Sequence, residues 1–188
     1  MRFLTYIFGS PEFTSRLETA RPRLYRLAFS WCHDATLADD LVQEASYKAL
    51  KKSRQLRDMA LLEGWLFRIL ANCWHDHLRQ RRDTEDIDAI EDNEEMPFTA
   101  HLSPEETFGE KQLVARVRRA VERLPLGQRQ VLTLIDLEEM SYSKTAEILD
   151  IPVGTVMSRI CRARLALKQH LIEHPALGLV NAKARSME

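Results

Sequence analysis

The stretch SYSKTAEILDIPVGTVMSRICRAR, residues 141–164, decides the fold class of this 188-residue chain. Its spacing predicts a short helix, a tight turn that contains Gly154, and a longer helix that opens at Thr155. Ala146 is the small residue that lets the two helices approach, and apolar residues on both helices fill the space between them. A short helix, a turn of a few residues and a second helix with a small polar start are typical of a helix-turn-helix.

The second of these helices also carries the side chains of a DNA-reading surface. Hydroxyl groups near its start suit phosphate contacts, and arginines one turn later can donate two hydrogen bonds to a guanine in the major groove. The candidate DNA-binding residues are Thr155, Ser158, Arg159, Arg162 and Arg164. A helical hairpin with a solvated basic face is the alternative. We favour DNA binding because the turn, the small packing residue and the polar face agree.

Apolar residues at helical spacing recur on both sides of the middle of the chain. Positions 24, 27, 28 and 31 fall on one face of a first helix, a second starts at a capping box near Thr36, and a third covers roughly residues 61–82. Further along, an amphipathic helix ends at Pro125 and another begins near Gln128. Because helical spacing dominates throughout, the sequence predicts an all-α fold.

The formal net charge of −1 hides a strong division of charge along the chain. Residues 14–82 hold 13 Lys/Arg and 8 Asp/Glu, a net charge of +5, and residues 111–188 hold the same numbers. Residues 83–110 hold 11 Asp/Glu and no Lys or Arg, together with two prolines and a glycine. This composition predicts a flexible acidic linker between two small basic domains, so the neutral total does not exclude nucleic acid as a partner.

The same division predicts the domain organisation. An N-terminal extension, residues 1–13, contains the stretch GSPEF, which resembles a cloning linker. The first helical domain covers residues 14–82, the acidic linker residues 83–110, and the second helical domain residues 111–174. A tail, residues 175–188, follows.

Cysteine usage and histidine spacing exclude two kinds of site. Cys32, Cys73 and Cys161 are widely spaced and odd in number, which favours a reducing cytoplasm over a disulfide framework. We expect Cys161 to be packed rather than reactive. His75 and His77 point in different directions from a helix, so they do not share one ion and we expect no metal site.

Other function classes are excluded by what the sequence lacks. No run approaches the ~20 apolar residues of a membrane span, so we expect a cytoplasmic protein. There is also no glycine-rich phosphate loop and no setting for a nucleophile. We therefore expect no enzymatic activity, no cofactor and no small-molecule substrate.

Several motifs, in order, resemble the bacterial sigma factors of the sigma-70 family. DLVQE at 40–44, WLFRI at 65–69 and RQRR at 79–82 are similar to sigma region 2. The stretch from Leu124-Pro125 to Arg159 is similar to region 4, with its helix-turn-helix. The resemblance covers about residues 16–172 and leaves no room for regions 1.1 and 3. It therefore points to the small extracytoplasmic-function (ECF) group.

The resemblance implies a transcription initiation factor whose parts contact different partners. It implies that the second helix docks on the β′ clamp helices of core RNA polymerase through Asp40, Leu41, Gln43 and Glu44. It implies that the third helix binds the minus-10 promoter element through Arg68, Asn72, His75 and Arg79. Region 4 would then read the minus-35 element through Thr155, Ser158, Arg159, Arg162 and Arg164, beside the polymerase β subunit.

The resemblance further implies an anti-sigma factor as a regulatory partner, and one departure from the family pattern stands out. Lys144 occupies a position where many relatives have an acidic residue. A stand-alone helix-turn-helix regulator is the alternative function, and it would bind DNA by itself, normally as a dimer. The lack of an obvious dimerisation helix disfavours this alternative. A sigma-like protein that only sequesters another protein is disfavoured by the arginines of the second helix.

Overall fold

The computed structural model of the chain describes residues 10–84 and 110–173. These residues form helices joined by short turns, with no strand among them, which confirms the predicted all-α fold. The first domain contains α1 (Pro11–Cys32), α2 (Ala35–Lys52) and α3 (Leu62–Thr84). The second contains α4 (Glu110–Glu122), α5 (Leu126–Leu132), α6 (Tyr142–Leu149) and α7 (Val153–Glu173). The predicted acidic linker lies outside the described residues except at its two ends.

The beginning of α1 includes the last residues of the predicted N-terminal extension. The helix is capped by Ser10, whose side chain accepts a hydrogen bond from the Phe13 N–H at 3.1 Å. Phe13 is buried and its ring packs edge-on against Trp65, with 6.2 Å between the ring centroids. Residues 10–13 are therefore part of the first domain.

The turn between α1 and α2 differs from the prediction. α1 ends at His33, which has a left-handed backbone with φ of 55°, and α2 begins at Ala35. Its N-cap is Asp34, whose carboxylate accepts the Leu37 N–H at 3.0 Å. The predicted capping box at Thr36 is wrong because this carboxylate caps the helix two residues earlier.

The core of the first domain follows the predicted apolar faces. The buried residues of its three helices include Leu24, Leu27, Ala28, Trp31, Ala38, Leu41, Val42, Ala45, Ala49, Leu62, Leu66, Leu70 and Cys73. His77, which the sequence places on the same face of α3, is half-buried and stacks on Trp74 at 5.8 Å. The three helices thus form one small bundle.

The second domain contains the predicted helix-turn-helix, α6 and α7, with a different turn. Ser141 caps α6, and Asp150 adopts the left-handed conformation with φ of 54° at its end. α7 begins at Val153 rather than at Thr155, so Gly154 lies in its first turn and not in the connection. The prediction of a turn made by Gly154 is wrong, because an aspartate can take the left-handed position itself.

The two domains pack against each other within the described residues. α1 contacts α5, and α3 contacts α6, so that the buried apolar residues of both domains form one contiguous cluster. The residues that join the domains by polar contacts are Arg23, Trp31, His33, His75, Arg129, Gln130, Thr133 and Glu138. We call this set the interdomain interface; the prediction of two domains on a tether did not include it.

Within the described ranges, none of the helices combines the length and the apolar character that a membrane crossing requires.

Candidate nucleic-acid and polymerase interface

The first half of α7 presents a polar cluster to solvent. Ser158 and Arg162 are exposed, and the Arg162 guanidinium donates to the Ser158 carbonyl at 3.3 Å and to its hydroxyl at 3.4 Å. The Ser158 hydroxyl donates in turn to the Thr155 carbonyl at 3.0 Å. Three of the predicted minus-35 residues therefore lie together on one face of the helix, where Thr155 is half-buried and the other two are exposed.

Arg159 lies beside this cluster but is half-buried. Its side chain crosses the start of α5 at Gly127, where a Cβ atom would lie 2.9 Å from the guanidinium carbon. The missing side chain at Gly127 thus leaves the space that the Arg159 guanidinium occupies. The positive charge of Arg159 also acts on His75 of the interdomain interface, where it lowers the pKa.

Arg164, the last predicted residue of this set, has its guanidinium paired inside the domain. It donates two hydrogen bonds to Asp136, at 2.6 and 3.1 Å. These bonds raise the pKa of Arg164 above its ordinary value. A side chain held by two bonds to a carboxylate is less available to a phosphate or a base than the Arg162 side chain is.

The predicted minus-10 residues share one face of α3. Positions 68, 72, 75 and 79 follow each other at intervals of four, three and four residues, which places them in a row along the helix. Arg68, Asn72 and Arg79 are exposed, and His75 is half-buried. This row of cationic and amide groups could contact a nucleic-acid strand along two to three turns of helix.

His75 is the member of this row that the second domain contacts. Its Nε2 lies 3.3 Å from the Gln130 side-chain nitrogen. Burial lowers the pKa of His75, and this effect outweighs the hydrogen bond to Gln130, which acts in the opposite direction. This shift favours the neutral imidazole of His75.

The predicted polymerase-binding residues occupy the outer face of α2, with one exception. Asp40, Gln43 and Glu44 are exposed, and Glu44 pairs with Lys48 at 2.8 Å. Leu41 is only 2% exposed and packs in the core of the first domain. A partner that docks on α2 would therefore meet the three polar side chains directly, while Leu41 positions the helix beneath them.

Cys161 does not follow its prediction. It lies on α7 and is exposed, whereas Cys32 and Cys73 are buried. The expectation that Cys161 is packed is wrong because Ile160 and Ala163, and not Cys161, point into the core from that turn. The described residues contain no group of three or more His, Cys, Asp or Glu side chains that could hold a metal ion.

The polar residues of the interdomain interface were missed by the sequence reasoning. Arg129, Gln130 and Thr133 are buried, although residues of these types are mostly exposed in proteins. A signal was present, because the three residues share a short segment with the buried Val131, Leu132 and Leu134. Apolar residues on more than one side of a short helix indicate that another element covers it.

Comparison with known proteins decides the family. Residues 17–84 match Sigma-70 region 2, and residues 115–167 match Sigma-70, region 4. The chain is 34% identical over 155 residues to RNA polymerase sigma-H factor of Pseudomonas aeruginosa, covering 79% of this chain and 80% of that protein. The chain belongs to the sigma-70 family of sigma factors. Its resemblance to that family, first drawn from the motifs, is confirmed.

Two further relatives are named as ECF sigma factors, and they show that this chain is an ECF sigma factor. ECF RNA polymerase sigma factor EcfG of Rhodopseudomonas palustris is 37% identical over 152 residues, covering 79% of this chain and 78% of that protein. ECF RNA polymerase sigma-E factor of Escherichia coli is 38% identical over 134 residues, covering 68% of this chain and 70% of that protein. As a member of this family, the chain is a transcription initiation factor that acts on RNA polymerase, not an enzyme.

Two solved structures share the architecture of this ECF sigma factor. The sigma factor RpoE of Bartonella quintana, in complex with the anti-sigma factor NepR, superposes with a TM-score of 0.68 and 27% identity. That match covers 87% of this chain and 98% of the other. CnrH, in complex with the cytosolic domain of CnrY, gives a TM-score of 0.60 at 25% identity, over 88% and 91% of the two chains. Both matches extend over region 2 and region 4 together.

Proposed function

We propose that this ECF sigma factor binds core RNA polymerase through α2 and directs it to promoters that region 2 and region 4 read separately. Region 2 contacts the minus-10 element, and region 4 contacts the minus-35 element. The observation that carries this proposal is the pair of polar faces on α3 and α7. The α3 face lies in the part of the chain that matches region 2, and the α7 face in the part that matches region 4. Both faces consist of side chains that can contact phosphates or base edges.

The α7 face supports direct reading of duplex DNA. The exposed Ser158 and Arg162 and the half-buried Thr155 form one cluster near the start of the helix, where a recognition helix enters the major groove. Arg159 and Arg164 extend the cluster on either side. Arginine donates two hydrogen bonds to guanine, which makes Arg159 and Arg162 the candidates for base contact.

The α3 face supports binding of the minus-10 element. Arg68 and Arg79 supply positive charge at the two ends of the row, while Asn72 and His75 between them supply hydrogen-bonding groups. Charged groups that neutralise phosphates position a protein on nucleic acid, and amide or imidazole groups can contact base edges. Arg81, which is also exposed, extends the positive charge of this surface.

The domain organisation supports simultaneous binding of both elements. We assign residues 14–82 to the polymerase and minus-10 domain, residues 83–110 to the acidic linker, and residues 111–174 to the minus-35 domain. Linking two weak DNA-binding modules raises their combined affinity through effective concentration. The linker carries a net charge of −11 and would be repelled by DNA, which suits a path over the polymerase instead.

The exposed polar face of α2 supports the polymerase contact. Asp40, Gln43 and Glu44 present carboxylate and amide groups, and Leu41 holds the helix against the core. We further propose that the factor works in the cytoplasm, where RNA polymerase works, and that an anti-sigma factor controls it. The likeness to a sigma factor solved in complex with an anti-sigma factor supports this control.

Run-off transcription with core RNA polymerase on genomic fragments tests the proposed function. The wild-type factor should yield discrete transcripts, whereas Arg162→Ala should lose them and keep polymerase binding. Arg118→Ala, which removes an exposed arginine from α4, is the matched control and should behave as the wild type. Asp40→Arg should lose polymerase binding itself, with Glu18→Arg on α1 as its control.

Two results would contradict the proposal. Loss of polymerase binding in Arg162→Ala would show that the α7 face serves the polymerase rather than DNA. Sequence-specific binding of promoter fragments by the factor alone, without polymerase, would identify a stand-alone helix-turn-helix regulator.

A further inference from the structure

Two exposed apolar side chains lie at the start of α7, beside the cluster of predicted minus-35 residues. Val153 is 42% exposed and Met157 is 54% exposed. They are four residues apart in one helix, so they lie one above the other on the same side of it. We call this pair the apolar edge of α7. The function proposed above does not use it.

The apolar edge borders the side of α7 that points to solvent. The opposite side faces the core of region 4 and is marked by the buried residues Val156, Ile160 and Ala163. Successive residues of a helix are rotated by about 100°. This rotation places the exposed Ser158 and Cys161 along the middle of the solvent side, with Met157 on one flank and Arg162 on the other. Met157 and Arg162 therefore border the same surface.

The middle of this surface is lower than its two flanks. Ser158 and Cys161 have short side chains, whereas the flanking Met157 and Arg162 have long ones. Gly154 has no side chain, and beyond the local helix backbone a Cβ atom there would meet nothing in the described part of the chain within 4 Å. A partner that approaches the first turns of α7 can therefore contact both flanks.

The two flanks suit different groups of the DNA major groove. Arginine donates two hydrogen bonds to guanine, and Arg162 is the exposed candidate for this contact. A methionine side chain has no hydrogen-bond donor for a phosphate or a polar base edge. The apolar group that the major groove presents is the C5 methyl of thymine. Met157 is unbranched and flexible, so its side chain can adapt to that methyl group.

The position of the apolar edge distinguishes it from other exposed apolar residues, which are normal on protein surfaces. Ile172, for example, is 62% exposed but lies about 22 Å from Met157 along the axis of α7. The residues of a recognition helix that contact base edges are those near its N-terminus. Val153 and Met157 belong to this part of α7, and Ile172 does not.

The spacing within α7 predicts the spacing of the bases. Met157 and Arg162 are five residues apart, or about 7.5 Å along the helix axis. Successive bases of one DNA strand are about 3.4 Å apart. The two side chains would therefore contact bases about two positions apart.

We propose that Met157 reads a thymine of the minus-35 element through its C5 methyl group, about two base pairs from a guanine that Arg162 reads. Val153, one turn earlier, extends the apolar surface beside this contact. The inference rests on the proposed function, since it takes the α7 face as the surface that reads the minus-35 element. It adds a preference for thymine over uracil, two bases that differ only in the methyl group.

Deoxyuridine tests this contact because it pairs as thymidine does and lacks only the methyl group. The probe is a promoter duplex obtained from run-off transcription, in which each thymidine of either minus-35 strand is replaced in turn by deoxyuridine. The Kd of each duplex is measured with the holoenzyme, which is core polymerase with the full chain. Loss of the methyl contact should raise the Kd of the wild type about fourfold at one position. Met157→Ala should bind that duplex and its thymidine parent equally well.

Two further variants and the salt dependence serve as controls. Ile172→Ala also truncates an exposed apolar side chain of α7, and it should keep the wild-type response to deoxyuridine. Met157→Leu keeps an apolar side chain and should retain the response. A methyl contact releases no counterions, so the slope of affinity against salt concentration should be the same in Met157→Ala and in the wild type.

A methyl effect in the wild type, Ile172→Ala and Met157→Leu that is absent from Met157→Ala supports the inference. It is overturned if no thymidine shows the effect, if Met157→Ala keeps it, or if the minus-35 element contains no thymine in either strand. Equally weakened binding of both duplexes by Met157→Ala, without a methyl effect in the wild type, would show that the apolar edge contacts protein instead.

The proposed function is tested separately in the same assay. Substitution of the minus-35 guanine should weaken binding by the wild type and have little effect on Arg162→Ala. If this holds without any methyl effect, the inference alone is wrong. If no minus-35 substitution changes binding by the wild type, the proposed function is wrong, and the inference with it.

Discussion

Region 2 and region 4 are both small helical bundles, but their interiors differ in kind. The interior of region 2 is apolar, as the faces of α1, α2 and α3 predict, with Trp31 and Trp74 at its centre. Region 4 buries Arg129, Gln130, Thr133 and Glu138 beside its apolar residues. Because each of these four contacts region 2, the polar residues belong to the boundary between the regions. A buried polar residue in a small domain can therefore reveal a second domain that covers it.

The largest expected effect comes from the two buried tryptophans of region 2. Trp31→Ala and Trp74→Ala each remove a completely buried ring, so each should lower the free energy of unfolding by about 3–5 kcal/mol. Urea unfolding measures this loss. Only Trp31 reaches region 4, because the Trp74 indole nitrogen has no hydrogen-bond partner among the described residues. Energy transfer between dyes at Tyr47→Cys in region 2 and Leu165→Cys in region 4, both exposed positions, measures the distance between the regions in a Cys161→Ser background. This transfer should fall in Trp31→Ala and stay high in Trp74→Ala, and equal falls would contradict the difference.

The two DNA faces provide the next comparison. Arg162→Ala in region 4 and Arg68→Ala in region 2 each remove an exposed arginine, and each should lower promoter-specific transcription by roughly 10- to 100-fold. Polymerase binding should not change. Run-off transcription with varied promoters assigns each residue to its element. If transcription by both variants responded to changes in the same promoter element, the assignment of a different element to each region would be wrong.

The packing of region 2 against region 4, which we call closure, should depend on pH, and this dependence tests the interdomain interface. Burial, and then the charge of Arg129, lower the pKa of His33 from its ordinary value of 6.5 to about 4. Separated regions would bind a proton at His33 below pH 6.5 that the closed form does not bind. Closure should thus be strongest above pH 6.5 and weaken as the pH falls towards 4, by up to about tenfold per pH unit for one proton.

Energy transfer at decreasing pH measures this weakening. His33→Asn should reduce the pH dependence, since asparagine tolerates the left-handed backbone of His33 and does not titrate. The lowered pKa of His75 should leave a smaller dependence of the same sign in that variant. If closure instead became stronger as the pH falls, the closed form would not keep its histidine neutral, and the prediction would be contradicted.

The smallest effect concerns two arginines of the same helix. The Arg164 guanidinium is bound to Asp136, whereas Arg162 bonds only to the neighbouring Ser158 among the contacts described above. Arg164→Ala should therefore weaken DNA binding less than Arg162→Ala does. Its exposed ion pair contributes at most about 1 kcal/mol to the free energy of unfolding. Duplex binding by the two variants side by side decides the order.

The sequence predicted most of the fold and grouped the candidate site residues well. Apolar spacing located α1 to α3 and the helix-turn-helix, because a helix that buries one face must repeat its apolar residues at that spacing. The minus-10 candidates fall in one row for the same reason. The errors at Thr36 and Gly154 arose where an aspartate, Asp34 or Asp150, took a role usually expected of another residue.

Contact between the regions could not be predicted in the same way. The apolar face of α1 that ends at Trp31 would look the same whether region 2 or region 4 covered the indole N–H. Contacts such as Arg23–Glu138, separated by 115 positions, leave no periodic pattern in the sequence. Only the structure shows that the two basic domains are packed together.

Energy transfer between region 2 and region 4, measured in the full chain before and after addition of core RNA polymerase and promoter DNA, tests the central claim most directly. We predict high energy transfer in the free factor and a clear fall in the promoter complex. The fall is expected because Gln130 of region 4 must leave His75 before the whole α3 face is exposed. Low transfer in the free factor, or transfer that stays high in the promoter complex, would contradict it.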